Sequence, residues 1–231
     1  MLSEHAVDCA ALYRHLRRRL IARARGWTDD QLTTPVPATP LWTVQNVLAH
    51  LVGITADLNA LDFGPGDADA WTEAQVRRRR GRSVDDLGAE WEKEGPRFEE
   101  GLGLFGYELG SHYVGDLLQH AADIDQAFGT REPADGEALA VALDFYLDTF
   151  HQALGAAEAG SVAVHADTEE WVLGSGPNVA TLQADRFEVF RCLGGRRTAR
   201  QIRALNWTGE PERVLGLMSP YPLPGRDLVE H

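Results

Sequence analysis

The sequence has almost no lysine, few cysteines and no long apolar run. Lys93 is the only lysine, so nearly all of the 22 basic residues are arginines, and 35 acidic residues outnumber them. The formal net charge of -13 argues against a general binder of nucleic acids or anionic membranes, whose phosphates would be repelled. No apolar stretch approaches the roughly 18 residues that a membrane-spanning helix needs.

The two cysteines, Cys9 and Cys192, are far apart in the chain and have no spacing typical of a metal knuckle or a redox motif. We expect two buried thiols, although the sequence alone leaves a disulfide between them open. The first 20 residues carry acidic side chains before any apolar run and no small-residue cleavage site, so a secretory signal is not expected. A cytoplasmic protein is therefore predicted.

Helical periodicity dominates the first part of the chain. With 231 residues, 44% of them hydrophobic and 25% charged, the composition fits a globular protein of one large or two modest domains. Apolar positions recur with helical spacing in four main segments, and Thr28, Thr43 and Ser83 are N-cap residues for helices. Glycines at 101, 103, 106 and 110 are expected to separate the last two segments. The pattern predicts a four-helix bundle over residues 1–131 with a long second connection.

From Pro133 onward the pattern changes to that of a mixed domain. A helix is predicted from Glu137 to Ala157, then three strands, then two short helices on either side of Gly194-Gly195. The predicted strands are Ser161–His165, Glu170–Leu173 and Asn178–Leu182. We predict an α+β fold in which a small second domain, residues 132–231, packs against the bundle.

Asp116 and His120 form the most informative motif of the last bundle helix. A spacing of four places a carboxylate and an imidazole one turn apart on one face, as a two-donor metal clamp needs. That face lies beside the apolar stripe of the helix, and burying these groups without a partner is costly. Taken alone, the motif is more often a plain hydrogen-bonded pair.

His50 supplies a second inward-facing imidazole, because it is in register with Val47 and Ile54 on another helix. A lone inward histidine is more often a satisfied core residue than a ligand. Three nitrogen and oxygen donors from two helices, with a fourth position open, are instead typical of a catalytic zinc site in a bundle core. We therefore predict one divalent ion, zinc or another first-row metal, on His50, Asp116 and His120.

His112 lies one turn before Asp116 and continues the same stripe. About 12 Å of helix rise separates His112 from His120, at 1.5 Å per residue, so the two histidines cannot bind one ion. His112 is then a residue of the cleft mouth, a support for a ligand, or a bystander.

The second domain carries a basic stripe made of Arg196, Arg197, Arg200 and Arg203. A solvated helix face is the more common explanation of such a stripe. The functional alternative is a clamp for the carboxylates of a substrate or thiol cofactor, since a guanidinium binds a carboxylate with two parallel hydrogen bonds. Arg196 and Arg197 are the candidates for that role.

Three blocks of the sequence resemble one known family. Residues 40–51, PLWTVQNVLAHL, resemble the P-G-W-T-V-x-D-V-x-A-H-L signature of the mycothiol-dependent maleylpyruvate isomerase family, which is part of the DinB-like group of metal-dependent thiol transferases. Residues 116–129, DLLQHAADIDQAFG, resemble its E-L-x-x-H-x-x-D-I-x-x-A-L-G helix, and residues 187–209 resemble its C-terminal domain. The blocks occur in the family's order along nearly the whole chain.

The resemblance implies a DinB-like four-helix bundle followed by a small α/β domain of sterol-carrier-like shape. It implies the ligands His50, Asp116 and His120, with Asp116 standing where the family often has glutamate. It also implies an enzyme that uses mycothiol, held on zinc as a thiolate, against a small electrophilic acid, as an S-transferase or a cis-trans isomerase. The arginines of the second domain would orient acidic groups and help to wall the cleft.

Two other functions are compatible with these residues. A non-catalytic metal sensor or partner-binding module would have its ion closed off by a fourth protein ligand, whereas an enzyme needs an open position. A metal-dependent hydrolase would need a base, for which Asp57, two turns beyond His50, is the candidate. The expected partners are a small electrophile and a low-molecular-weight thiol, without nucleic acid or membrane, in a monomer or homodimer.

Overall fold

The computed structural model describes residues 7–64 and 66–229. The outer ends of the two predicted domains, residues 1–6 and 230–231, lie outside the described residues. Two compact units are present, one ending at Glu132 and the other formed by Pro133–Val229. Helices occur in both units and a sheet occurs in the second, which confirms the predicted α+β class.

Six helices make up the described part of the first unit. They are α1 (Cys9–Ala24), α2 (Asp29–Leu32), α3 (Val44–Asn59), α4 (Ala68–Arg78), α5 (Val84–Phe105) and α6 (Tyr107–Ala127). The four long helices α1, α3, α5 and α6 pack on one another as a bundle, and α4 packs against α3. Their facing sides bury Leu48, Trp91 and Leu117 completely. Apolar side chains from α3, α5 and α6 therefore contribute to the bundle core.

Three helices of this unit begin at the predicted N-cap residues. Thr28, Thr43 and Ser83 each accept a hydrogen bond from the backbone three residues on, and the side chain of that residue bonds back to the cap. Such a cap stabilises a helix by about 1 kcal/mol. The cap at Thr43 fixes the start of α3 two turns before His50, so it bears on the placement of the candidate ligand.

The predicted glycine-rich break between the last two bundle helices is wrong at three of its four positions. Gly101 and Gly103 lie inside α5 and Gly110 lies inside α6, while Gly106, with φ of 90°, separates the two helices. Gly110 serves close helix packing, because a Cβ there would lie 2.6 Å from the Cβ of Cys9 on α1. At Gly110, tertiary packing therefore overrides the weak helix propensity of glycine.

The second unit contains one long helix, a four-stranded sheet and two short helices among its described residues. These elements are α7 (Gly136–Ala156), β1 (Ser161–Ala166), β2 (Glu169–Gly174), β3 (Asn178–Ala184), α8 (Arg186–Leu193), α9 (Ala199–Arg203) and β4 (Asn206–Gly209). Short 3-10 turns follow at Pro211–Arg213 and Leu215–Leu217. The strand order is β2-β1-β3-β4, with β1 and β3 parallel and the other pairs antiparallel.

The edge strand β4 is absent from the sequence prediction. It pairs with β3 through four residue pairs, among them Leu182 with Trp207. The Trp207 indole donates to the carbonyl of Ile202 at 2.8 Å, which ties the strand to α9. Four residues with one large apolar side chain are too short to show the period-2 alternation from which strands are predicted.

Both cysteines are buried thiols and no disulfide joins them, as predicted. Burial raises the pKa of the Cys192 thiol well above its ordinary value, and the neighbouring Glu188 carboxylate acts in the same direction. Cys192 is therefore a poor nucleophile, since the thiolate is the reactive form. In the part of the chain that the structure describes, no helix combines the length and apolarity needed to cross a bilayer.

Candidate metal centre

The structure brings the three predicted ligands together. His50 on α3 and Asp116 and His120 on α6 each offer one donor atom, and these three atoms lie within 4.8 Å of one another. His50 and His120 are buried, with 3% and 6% of their surface exposed, while 22% of the Asp116 side chain is exposed. The carboxylate therefore marks the side from which solvent reaches the cluster.

Local structure places the ligands on facing helices. The spacing of four along α6 leaves Asp116 Oδ1 3.6 Å from His120 Nε2. Leu117, the neighbour of Asp116, is fully buried in the bundle core. Because α3 packs against α6, His50 meets this pair from the opposite side. We call these three residues the triad.

An aromatic wall lies against the two imidazoles of the triad. The His50 and His120 rings meet edge to face with centroids 5.0 Å apart. The Trp42 indole packs on both, at 5.0 Å from the His50 ring and 6.4 Å from the His120 ring. Its Nε1 lies 3.4 Å from Glu73 Oε2, at the long end of a hydrogen bond. The indole is half-buried and shields one side of the histidines from water.

Each imidazole has a polar group at its second ring nitrogen. Gln75 Oε1 on α4 lies 2.8 Å from His50 Nδ1. Asp123 Oδ2, fully buried one turn beyond His120 on α6, lies 3.3 Å from His120 Nδ1, although that contact lacks hydrogen-bond alignment. Metal-binding histidines commonly donate the N–H of their second nitrogen to such an acceptor. An ion held by the triad would then bind Nε2 of both rings.

The donor set fits a divalent first-row ion. Two neutral imidazoles and one carboxylate are the ligands of a three-coordinate protein site for zinc that leaves a further position open. Within residues 7–64 and 66–229, no fourth His, Cys, Asp or Glu donor joins the triad. A closed structural zinc site has four protein ligands.

His112 lies outside the triad. Its half-buried ring packs on the Tyr113 ring with centroids 4.9 Å apart. Burial lowers the pKa of His112, and the Asp116 carboxylate opposes that shift by favouring the charged imidazole. The Asp116 charge therefore acts on the His112 ring, but His112 is not one of the three residues whose donor atoms converge.

Asp57 also lies outside the triad. The buried carboxylate accepts hydrogen bonds from Trp71 Nε1 at 3.1 Å and from Arg78 Nη1 at 2.7 Å. Both donors belong to α4, so Asp57 fastens α4 to α3. A base for a hydrolytic site would need a carboxylate within reach of the ion, and this geometry gives Asp57 a structural task instead.

The arginine stripe of the second unit is largely engaged in ion pairs. Buried Arg197 donates from Nε and Nη2 to the two carboxylate oxygens of Glu188, each at 2.7 Å. Arg196 donates to the carbonyl two residues before it at 2.8 Å. Arg200 and Arg203 are exposed and paired with acidic side chains. The solvated-face interpretation therefore fits Arg200 and Arg203 and does not fit Arg197.

Sequence reasoning missed Gln75 and gave Asp123 no role of its own. Asp123 could have been found, because a spacing of three places its side chain on the His120 face of α6. Gln75 belongs to a different helix, 25 residues from His50, and no spacing rule relates the two.

The first unit is similar to a known protein domain. Residues 13–108 match the family model described as the mycothiol maleylpyruvate isomerase N-terminal domain, a range that includes His50. No curated protein matches the sequence.

Two solved structures resemble the chain. A crystal structure of a histidine-to-alanine mutant of mycothiol-dependent maleylpyruvate isomerase matches with a TM-score of 0.56 and 12% identity, covering 88% of this chain and 93% of that one. A second crystal structure of mycothiol-dependent maleylpyruvate isomerase has a TM-score of 0.48 and 13% identity, with 82% and 88% covered. The first likeness shows a shared fold. The family model adds that residues 13–108 are similar to the mycothiol maleylpyruvate isomerase N-terminal domain, which agrees with the resemblance of residues 40–51.

Proposed function

We propose that this chain is a metal-dependent enzyme in which a low-molecular-weight thiol reacts with a small electrophilic acid at the triad. The observation that carries the proposal is the approach of two imidazole nitrogens and one carboxylate oxygen to within 4.8 Å, without a fourth described donor. The match of residues 13–108 to the mycothiol maleylpyruvate isomerase N-terminal domain supports it. A closed structural site would have the additional ligand.

Zinc is the proposed ion, since two imidazoles and a carboxylate are common zinc ligands and leave a fourth tetrahedral position for a thiol. When bound, zinc would lower the pKa of a thiol in its open position and hold the sulfur as a thiolate at neutral pH.

The residues of the chain have separate tasks in this proposal. His50 and His120 present unprotonated Nε2 atoms, and Asp116 contributes the negative charge that partly offsets a divalent cation. Trp42 covers the histidines and keeps water from that side. The partly exposed Asp116 lies where a thiol and its partner would enter.

The proposed thiol is mycothiol, because the matching family model and the solved structure with a TM-score of 0.56 are both named for mycothiol. The proposed chemistry is addition of the sulfur to an electrophilic carbon–carbon double bond. If the adduct rotates about the resulting single bond and expels the sulfur, the double bond returns with changed geometry and the thiol is regenerated. If the adduct gains a proton instead, the product is a thioether.

Purified protein prepared without chelator tests the proposal. We expect close to one zinc ion per chain by elemental analysis, and mycothiol binding by calorimetry that disappears when the ion is removed. Maleylpyruvate with mycothiol should then be isomerised by the loaded protein. A metal-free preparation that is folded and fully active would contradict the proposal, and an ion-binding protein without thiol affinity would favour the sensor hypothesis.

A further inference from the structure

Gln75 has an environment that packing alone does not explain. The side chain is completely buried on α4, and its Oε1 lies 2.8 Å from His50 Nδ1. Its own Nε2 has no hydrogen-bond partner among the described residues. A buried amide donor without a partner is destabilising, and an apolar side chain would avoid that cost. One polar atom of the buried amide is therefore engaged with His50, and the other has no partner among the described residues.

A glycine on α3 brings this amide to the histidine. Gly53 lies one turn beyond His50, and a Cβ at Gly53 would lie 2.5 Å from the Cβ of Gln75. No real Cβ contact is that short, so any side chain at Gly53 would displace α4. The absence of a side chain at Gly53 therefore permits the distance between Gln75 and His50.

Two further contacts hold α4 in this place independently of the Gln75 side chain. Arg78 near its end pairs with Asp57 on α3 at 2.7 Å. Buried Arg79, just after the helix, pairs with Glu90 on α5 at 2.6 Å and donates to the Gln75 carbonyl at 3.2 Å. Because α4 is fixed from both α3 and α5, the Gln75 side chain is available for a task other than docking.

We propose that Gln75 is a positioning residue of the metal centre. Its Oε1 accepts the Nδ1–H of His50, which keeps the imidazole in the tautomer with an unprotonated Nε2 and fixes the angle of the ring. The inference rests on the proposed metal-dependent function. It adds α4, which carries none of the three proposed ligands, to the helices α3 and α6 that form the centre. A neutral amide does this without adding charge, whereas His120 faces the Asp123 carboxylate.

The tautomer of His50 provides a test that needs no metal. Long-range proton–nitrogen correlation spectra of metal-free protein should show His50 protonated at Nδ1 and not at Nε2. Gln75→Met, which keeps an unbranched chain and removes the acceptor, should lose this preference. A wild-type protein with Nε2 protonated, or an unchanged spectrum in Gln75→Met, would overturn the proposal.

Metal affinity provides the second test, measured by chelator competition with zinc and by the visible spectrum of the cobalt-loaded protein. Gln75→Met and Gln75→Leu should bind about tenfold to a hundredfold more weakly, as is usual when the acceptor behind a ligating histidine is removed. Gln75→Glu keeps an acceptor and should restore affinity close to the wild-type value. Using both apolar variants guards against one that fails to fold.

Val76→Ala is the matched control, because Val76 is also buried on α4 but is turned about 100° around the helix from Gln75. It loosens packing without touching the acceptor, and it should keep both the tautomer and the cobalt spectrum. If Val76→Ala weakens metal binding as much as Gln75→Met, Gln75 acts only through helix packing and the proposal is wrong. If wild-type protein binds metal and Gln75→Met binds it equally well, the positioning role fails while the proposed function stands.

Discussion

The triad and the arginine stripe differ in the charges that they bring together. In the second unit, Arg197 meets Glu188 with two hydrogen bonds, so a cation closes on an anion. In the first unit, two imidazole nitrogens and a carboxylate oxygen converge, and a metal cation would be held by all three. The difference distinguishes an ion pair that protein atoms complete from the proposed ligand site, which an ion would complete.

Removal of an imidazole should have the largest effect. His50→Ala and His120→Ala each leave two protein donors, so elemental analysis should show nearly complete loss of the ion from protein that remains folded. His112→Ala is the control and should keep one ion per chain, because His112 lies outside the triad. If His112→Ala empties the site while His50→Ala does not, the ligand assignment is wrong.

Asp116→Asn should have an intermediate effect on the same measurement. The amide keeps the size of the carboxylate and loses its charge, so metal affinity should fall below wild type and stay above that of His50→Ala. Circular dichroism should be unchanged, because the side chain is partly exposed. An Asp116→Asn variant that binds zinc as tightly as wild type would show that the carboxylate is not a ligand.

Glu188→Leu should have the opposite effect to the triad variants: it should lower the stability of the fold and leave metal binding unchanged. It leaves the buried Arg197 guanidinium without its carboxylate, which should lower the free energy of unfolding by about 3 kcal/mol in urea denaturation. Metal content should stay at one ion per chain. Loss of zinc from this variant would show that the comparison between the triad and the stripe does not hold.

Thr43→Ala should have the smallest effect. Loss of the cap at the start of α3 should lower stability by about 1 kcal/mol in thermal or urea unfolding. His50 lies two turns beyond Thr43, and its ring is held by contacts with Gln75 and Trp42. Zinc affinity should therefore change little. A large drop in affinity would mean that the cap, and not those neighbours, places the histidine.

Local rules predict much of this molecule. The spacing of Asp116 and His120 identifies a helical clamp because a helix repeats every 3.6 residues, and the register of His50 follows from the same rule. The cap at Thr43 is equally local, since donor and acceptor are three residues apart. These features could be predicted because each depends on a few consecutive residues.

The features that sequence reasoning missed depend on contacts between distant elements. Gly103 lies within α5 next to Leu102, whose side chain is buried where α5 packs on other helices. Arg197 is buried because α8 brings Glu188 beside it. Gln75 reaches His50 because Gly53 lets two helices approach. In each case the deciding partner is on another element, where a one-dimensional pattern carries no information.

If the triad holds an ion, the contact between Gln75 and His50 links the docking of α4 thermodynamically to the binding of that ion. If an ion held by His50 favours the docked arrangement of α4, docked α4 must favour the ion by the same free energy. Zinc should therefore slow the hydrogen exchange of α4 backbone amides, measured by mass spectrometry, while those of α7 stay unchanged. By the same linkage, a change that detaches α4 from α3 would release metal although it removes no ligand.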